Sequence, residues 1–308
     1  VIDVRPVAAK AHHAAHMRPV ADLLGVTGDY ALRRPEPASV ALVASYGDLA
    51  RVRRAGYRRI VLMQHGAGQS YGGDRKTARH PAYPGGDDND DVGLFLCPNE
   101  HSANRWRERY PAASVRVVGC PKIDSLPQRA VSVDSGDDDG SLVVAVSFHW
   151  NYHGIPEMRS AFDHWWPAVA RLAERMKVIG HAHPKRHDLK AWYPAHGIEW
   201  VPDFDDVLRR ADMYVCDNSS SLFEFASTGR PVVVLDAPWY RPEADHGLRF
   251  WDAADVGQRV QDLDHLEPAV RFGDARPPWV AEQRLALVYA HRGDAARCAA
   301  DAVLEWAA

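Results

Sequence analysis

The stretch MYVCDNSSSLFEFASTGRPVVVLD, residues 213–236, reads as strand, polar turn, helix and strand in quick succession. The apolar run ending at Cys216 suits a strand buried on both faces, and PVVVLD (231–236) is a second one. Between them, Asp217, Asn218, Ser219, Ser220 and Ser221 form a turn of small polar residues. LFEFAST then carries a short helix with Glu224 in its first turn. A strand–helix–strand unit of this kind predicts an α/β protein with parallel sheets. Small residues at a strand's carboxyl end let an anion approach backbone N–H groups, and the helix dipole adds positive potential there. Ligands of open α/β sheets bind at that edge. Simple N-capping by serine accounts for the same residues without a ligand.

The same alternation extends outward in both directions. VIDV (1–4) reads as a first strand and 14–24 as a helix. ALVAS (41–45), a helix around 48–54, and RIVLMQ (59–64) follow. GLFLC (93–97) and VRVVG (115–119) flank the helical NEHSANRWRERY. QRAVSVDSGDDDG (128–140) is polar, acidic and aperiodic, which marks a linker. The strands SLVVAVSF (141–148), KVIGHAH (177–183) and MYVCD (213–217) then restart the pattern, with a helix over 162–175. The expected organisation is an N-terminal α/β domain over 1–128, a linker over 129–140 and a second α/β domain over 141–308. The last helix, 294–308, is free to pack back on the first domain.

The chain has 308 residues, 46% hydrophobic and 25% charged, which excludes disordered, collagenous and coiled-coil classes. No apolar run is long enough to cross a bilayer, and VIDVRP carries charge where a signal peptide needs apolar residues. The four cysteines are widely spaced with no CxxC, so a reduced, cytoplasmic protein is expected, peripheral to a membrane at most. Residues 1–126 hold 18 lysines and arginines against 13 acidic residues, net +5; the rest holds 19 against 28, net −9. The basic front half either steers an anionic partner or reflects ordinary surface composition.

Other segments carry candidate chemistry. Gln64-His65-Gly66 follows a strand directly, so His65 is placed for general-base work or for a structural hydrogen bond. In Gly180-His181-Ala182-His183-Pro184-Lys185, alternation puts both histidines on one face. No third ligand at suitable spacing favours zinc, so one of the two is read as a phosphate contact rather than a metal ligand. Gly119-Cys120-Pro121-Lys122-Ile123-Asp124 lines a cleft or merely turns the chain. His149-Trp150-Asn151-Tyr152-His153 follows a strand and faces the same region. Asp87, Asp88, Asp90 and Asp91 read as a solvated loop, and Trp165 and Trp166 as core. No Walker A loop, GxGxxG or GxSxG is present, which argues against P-loop, dinucleotide and hydrolase chemistry.

Taken in order, Gln64-His65-Gly66, Gly119 to Asp124, His183-Pro184, Asp217 to Glu224 and Arg230 to Asp236 resemble the motifs of the CDP-glycerol glycerophosphotransferase family. Glu224 is similar to the glutamate with which UDP-N-acetylglucosamine 2-epimerases hold the donor ribose. The resemblance implies two Rossmann-like domains facing a cleft, the GT-B fold. It also implies a transferase that moves a glycosyl or glycerophosphate-type group from a CDP- or UDP-linked donor to a hydroxyl acceptor, an anionic polymer or a modified nucleic acid. The catalytic candidates are His65, as base, and His183. The donor-binding candidates are Gly66, Lys122, Asp124, His149, Asp217, Ser219, Ser220, Ser221 and Glu224, with no metal and no cofactor. The alternatives are a UDP-sugar-dependent glycosyltransferase or 2-epimerase, and a non-catalytic nucleotide- or glycan-binding protein.

Overall fold

The computed structural model describes residues 2–26, 30–67, 89–126, 142–151, 156, 159–217, 219–240, 256–273 and 278–308. The expected linker (129–140), Asp87, Asp88, Tyr152, His153 and Asn218 lie outside these residues. The chain divides into two compact units. The first comprises Val1–Leu126, Asp245–Leu248 and Ala286–Ala308; the second comprises Pro127–Ala244 and Arg249–Leu285.

Unit 1 is built on five parallel strands in sequential order: β1 (Val4–Val7), β2 (Val40–Val43), β3 (Arg59–Met63), β4 (Leu94–Cys97) and β5 (Ser114–Val117). Alternation along these strands feeds two cores. Val40 and Leu42 of β2 face α1 (Ala11–Leu23) and the last helix, α10 (Ala295–Ala307). Ala41 and Val43 face α2 (Tyr46–Ala55) and α3 (Glu100–Arg109). Burial on both faces is why β2, β3 and β4 read as apolar runs. Local signals set the helix ends: the Ser45 and Asn99 side chains accept from the N–H groups of Asp48 and Ser102, and Gly56 closes α2 at φ +95°. Gly119 turns the chain after β5 at φ +85°, where a Cβ would meet the Ala290 carbonyl.

Unit 2 holds a six-stranded parallel sheet, with β6 (Val143–Phe148) central. β7 (Lys177–Ala182) and β8 (Glu199–Trp200) lie on one side. β9 (Met213–Cys216), β10 (Val232–Leu235) and β11 (Gln258–Val260) lie on the other. In order of appearance along the chain this is 3-2-1-4-5-6, the doubly wound Rossmann arrangement. Its helices are α4 (Phe162–Ala173), α5 (Leu189–Ala195), α6 (Phe204–Arg210), α7 (Ser221–Ala226) and α8 (Leu266–Phe272). The helix α9 (Pro278–Val288) spans the division between the units. Trp165 is fully buried and donates from Nε1 to the Asp236 carbonyl. Trp166, expected in the core, is 43% exposed, because the next position on α4 points away from the sheet.

Candidate functional site

Unit 2 offers a constellation where its winding reverses, between β6 and β9. Crevices for ligands form outside the carboxyl ends of strands at such a reversal. β6 ends there into His149 and Trp150, β9 into Asp217 and the serine turn, and the neighbouring β7 into His183.

Asp217 is fully buried. Its Oδ1 accepts from the His149 N–H at 2.8 Å, and its Oδ2 from the Ala161 N–H at 3.0 Å and the Ser160 hydroxyl at 3.4 Å. The carboxylate thus ties β9 to β6 and to the start of α4. A donor contact, expected from the sequence, does not fit a carboxylate enclosed in this way. In the serine turn, Ser219 Oγ accepts from Ser221 Oγ at 2.8 Å, and Ser221 Oγ shares a hydrogen bond of 2.8 Å with the Tyr214 hydroxyl. Ser220 precedes α7 with helical backbone and no side-chain cap, while Ser219 Oγ accepts from the Ser221 N–H at 3.4 Å and so closes the start of the helix. Glu224, in the first turn of α7, is 5% exposed.

The two histidines of the GHAHP segment part company. β7 ends at Ala182, so His183 no longer follows the strand alternation. His181 Nδ1 donates to the Val201 carbonyl at 3.0 Å, and its ring stacks on Trp200. His183 instead meets His149, with ring centroids 5.3 Å apart at 62°, and Trp150 at 6.2 Å. The Lys185 N–H donates to His183 Nδ1 at 3.1 Å, which leaves the ring's proton on Nε2. His149 Nδ1 lies 3.1 Å from the Trp150 carbonyl, which only accepts; its proton is therefore on Nδ1 and its lone pair on Nε2. The Lys185 ammonium sits over the Trp150 ring, 4.0 Å from the centroid.

Unit 1 carries a cluster of imidazoles at the carboxyl edge of its sheet. His65 follows β3, and Gly66 turns the chain beside it at φ +64°. His65 Nδ1 donates to the Ala44 carbonyl at 2.6 Å, so its lone pair lies on Nε2. α1 begins at Ala11 rather than at 14, with no side-chain cap to announce it, and this places His13 and His16 one turn apart on a buried face. Their rings lie 5.0 and 5.8 Å from His65, and His12 is 4.1 Å from His13. Burial lowers the His13 pKa to about 3, with His65, His12 and Lys10 acting in the same direction. Burial and the nearby Lys122 push His16 well below the ordinary imidazole value. His16 Nδ1 also lies 3.8 Å from Cys120 Sγ. Among the described residues, no group of three or more potential ligands is arranged to hold a metal ion.

Asp124 is placed otherwise than a ligand contact requires. Its carboxylate accepts from the N–H groups of Gly293 at 2.9 Å and Ala296 at 2.7 Å, capping α10, and burial pushes its pKa up. Two residues escaped the sequence reading. Ser160 gave no local signal. Arg186 stood in plain view, two residues past His183-Pro184, but nothing in the sequence revealed its partners.

No protein-family model matches the sequence, and no curated protein matches it. Solved structures do. The wall teichoic acid polymerase TagF soaked with CDPG aligns at TM-score 0.57 and 11% identity, over 99% of this chain and 88% of that one. A putative UDP-N-acetylglucosamine 2-epimerase from Listeria monocytogenes aligns at TM-score 0.57 and 13% identity, over 96% of this chain and 94% of that one. The S. aureus MnaA–UDP structure aligns at TM-score 0.61 and 13% identity, with the same coverage. At such identities the likeness establishes the fold, which is GT-B, as the motif resemblance implied. Among the described residues, no helix is long and apolar enough to cross a membrane.

Proposed function

We propose that the chain is a GT-B transferase that takes a nucleoside-diphosphate donor on unit 2 and passes its glycosyl or glycerophosphate-type group to a hydroxyl acceptor. The observation that carries this reading is the convergence of His149, His183 and the serine turn at the winding reversal of a 3-2-1-4-5-6 sheet. The fold likeness to proteins solved with CDPG and with UDP supports the ligand class.

In this reading His183 Nε2–H donates to a donor phosphate oxygen, and its bond strengthens as charge builds on the departing diphosphate. The backbone N–H groups of Ser219, Ser220 and Ser221 flank the same anion, and Glu224 accepts from the ribose hydroxyls. His65, with its Nδ1 proton held by Ala44, offers Nε2 to the acceptor hydroxyl as general base. Gly66 permits close approach beside it, and Lys122 contributes positive potential. Attack falls either on the β-phosphorus of a CDP-alcohol or on the anomeric carbon of a UDP-sugar. Glu224, in the first turn of α7, favours the UDP-sugar donor as the second reading.

The test is a thermal-shift and calorimetric panel of CDP-glycerol, CDP-ribitol, UDP-glucose, UDP-N-acetylglucosamine and GDP-mannose. One cytidine or uridine donor should raise Tm and bind in calorimetry. Equal silence from all five removes the donor assignment.

A further inference from the structure

Arg186 follows the His183 turn and is almost enclosed, with 8% of its surface exposed. A buried guanidinium needs partners for its donors, and each of its nitrogens has one. Nε and NH2 fork onto the Asp188 carboxylate at 2.9 and 2.7 Å. NH1 donates to Ser160 Oγ at 2.7 Å and to the His149 carbonyl at 3.4 Å. The flat face lies over the Phe162 ring at 5.0 Å. Its backbone N–H, meanwhile, donates to the His183 carbonyl at 2.8 Å. One residue therefore bonds the main chains of both histidines.

We propose that Arg186 is a positioning residue of the donor site: its guanidinium holds the His149 carbonyl and Ser160, and so steadies the turn in which His149 Nδ1 meets the Trp150 carbonyl, beside the turn that its own N–H closes at His183. The inference rests on the donor reading above for its functional consequence, but not for its geometry. Asp217 grips the other end of His149, through the N–H, so that residue is held at both ends. In these tautomers His183 Nε2 carries an N–H donor and His149 Nε2 a lone pair. That set suits a phosphate oxygen beside a hydroxyl, the two groups that adjoin in a phosphorylated sugar or polyol. With its donors committed to protein groups, Arg186 acts through the histidines rather than on the ligand. Lysine cannot replace it, because a single ammonium cannot fork onto Asp188 while also reaching Ser160 and His149.

The experiment uses the full chain labelled with ¹⁵N-histidine. Long-range ¹H–¹⁵N spectra report the tautomer of each imidazole, with His149→Gln and His183→Gln supplying assignments, and calorimetry reports CDP and UDP affinity. In the unsubstituted protein His183 should carry its proton on Nε2 and His149 on Nδ1. Arg186→Met should loosen the His149 turn, so that His149 populates both tautomers while His183, whose Nδ1 accepts from the Lys185 main chain, keeps its proton on Nε2; it should also weaken nucleotide binding by about tenfold or more, the scale of a charge-assisted hydrogen bond. Arg186→Lys should behave like Arg186→Met. Ser160→Ala, a milder change that keeps the Asp188 fork, should move the spectra in the same direction by less and serves if Arg186→Met does not fold. An unchanged His149 tautomer in both Arg186→Met and Ser160→Ala, or full restoration by Arg186→Lys, would overturn the proposal. If the His149 tautomer shifts but neither nucleotide binds the unsubstituted protein, the positioning role stands and the donor reading fails. If nucleotide binds but the His149 tautomer does not shift, the reverse holds.

Discussion

The N–H of Lys185 donates to Nδ1 of His183 at 3.1 Å, and this one hydrogen bond decides which edge of the imidazole faces outward as a donor. Had the main chain turned otherwise after Pro184, the same histidine would have presented a lone pair and repelled a phosphate. The bond therefore gives a direct test. His183→Ala should weaken nucleotide binding by about 1–3 kcal/mol, the range for hydrogen bonds to a charged group. His183→Gln, whose amide nitrogen reaches the Nε2 position, should recover part of the loss, whereas His183→Asn, which reaches only Nδ1, should not. Calorimetry with the best nucleotide of the panel distinguishes the three; equal affinity in all of them would remove His183 from the site.

His65 is expected to act on turnover and not on donor affinity. With a donor and an acceptor in hand, His65→Ala should lower kcat by something like 10²- to 10⁴-fold while the donor dissociation constant stays within about twofold. Full activity in His65→Ala would make His65 a structural histidine, bonded to the Ala44 carbonyl.

Unit 1 should lose stability in acid because of His13 and His16. Burial holds the His13 pKa at about 3 and that of His16 well below its ordinary value, while in the unfolded chain both titrate at about 6.5. Below about pH 6.5 the unfolded state binds protons that the folded state refuses, so stability falls as pH drops toward about 3. His65, His12, Lys10 and Lys122 all act in this direction. Asp48, 3.6 Å from His13, opposes it. Tm should decline steadily from pH 7 to pH 4, and the slope should be shallower in His13→Gln/His16→Gln. A flat profile in the unsubstituted protein would show that the imidazoles are charged in place.

Asp124 separates a structural from a ligand role. As the acceptor for two N–H groups at the start of α10, Asp124→Ala should cost about 1–2 kcal/mol of stability. Urea denaturation followed by Trp fluorescence measures this, and nucleotide affinity should not change. Loss of nucleotide binding in a fully folded Asp124→Ala would return the residue to the donor site.

Much of the sheet architecture was legible because strands buried on both faces leave an apolar run with polar residues at its end. RIVLM, followed two residues on by His65, and MYVC, followed directly by Asp217, are instances, and both residues do stand just past carboxyl ends. Elements with a weaker local signature were missed. α5 and α6 are seven residues each, too short to show a helical period, and β8 has only two. The start of α1 was misplaced because Lys10 provides no side-chain cap, although Ser45 and Asn99 do so for α2 and α3.

Within the site, local sequence placed polar residues correctly at strand ends but could not assign their partners. The Asp217 carboxylate reads as a ligand contact until β9 is known to lie beside β6, where it meets the N–H of a residue 68 positions earlier. Arg186 carries no local mark of its role, which exists only once Ser160 and His149 are brought to its guanidinium.

The sequence by itself determined that this chain is an α/β protein with imidazoles and a serine-rich turn at the ends of buried strands, since hydrophobic periodicity and turn chemistry act between near neighbours. Only the tertiary structure decided the 3-2-1-4-5-6 order of the second sheet, the packing of α10 beside α1, and which groups the buried Asp217 carboxylate and Arg186 guanidinium bond. Each of those depends on pairing between segments far apart in the chain, and such pairing is selected by the burial of whole faces rather than by any local preference of the residues that meet.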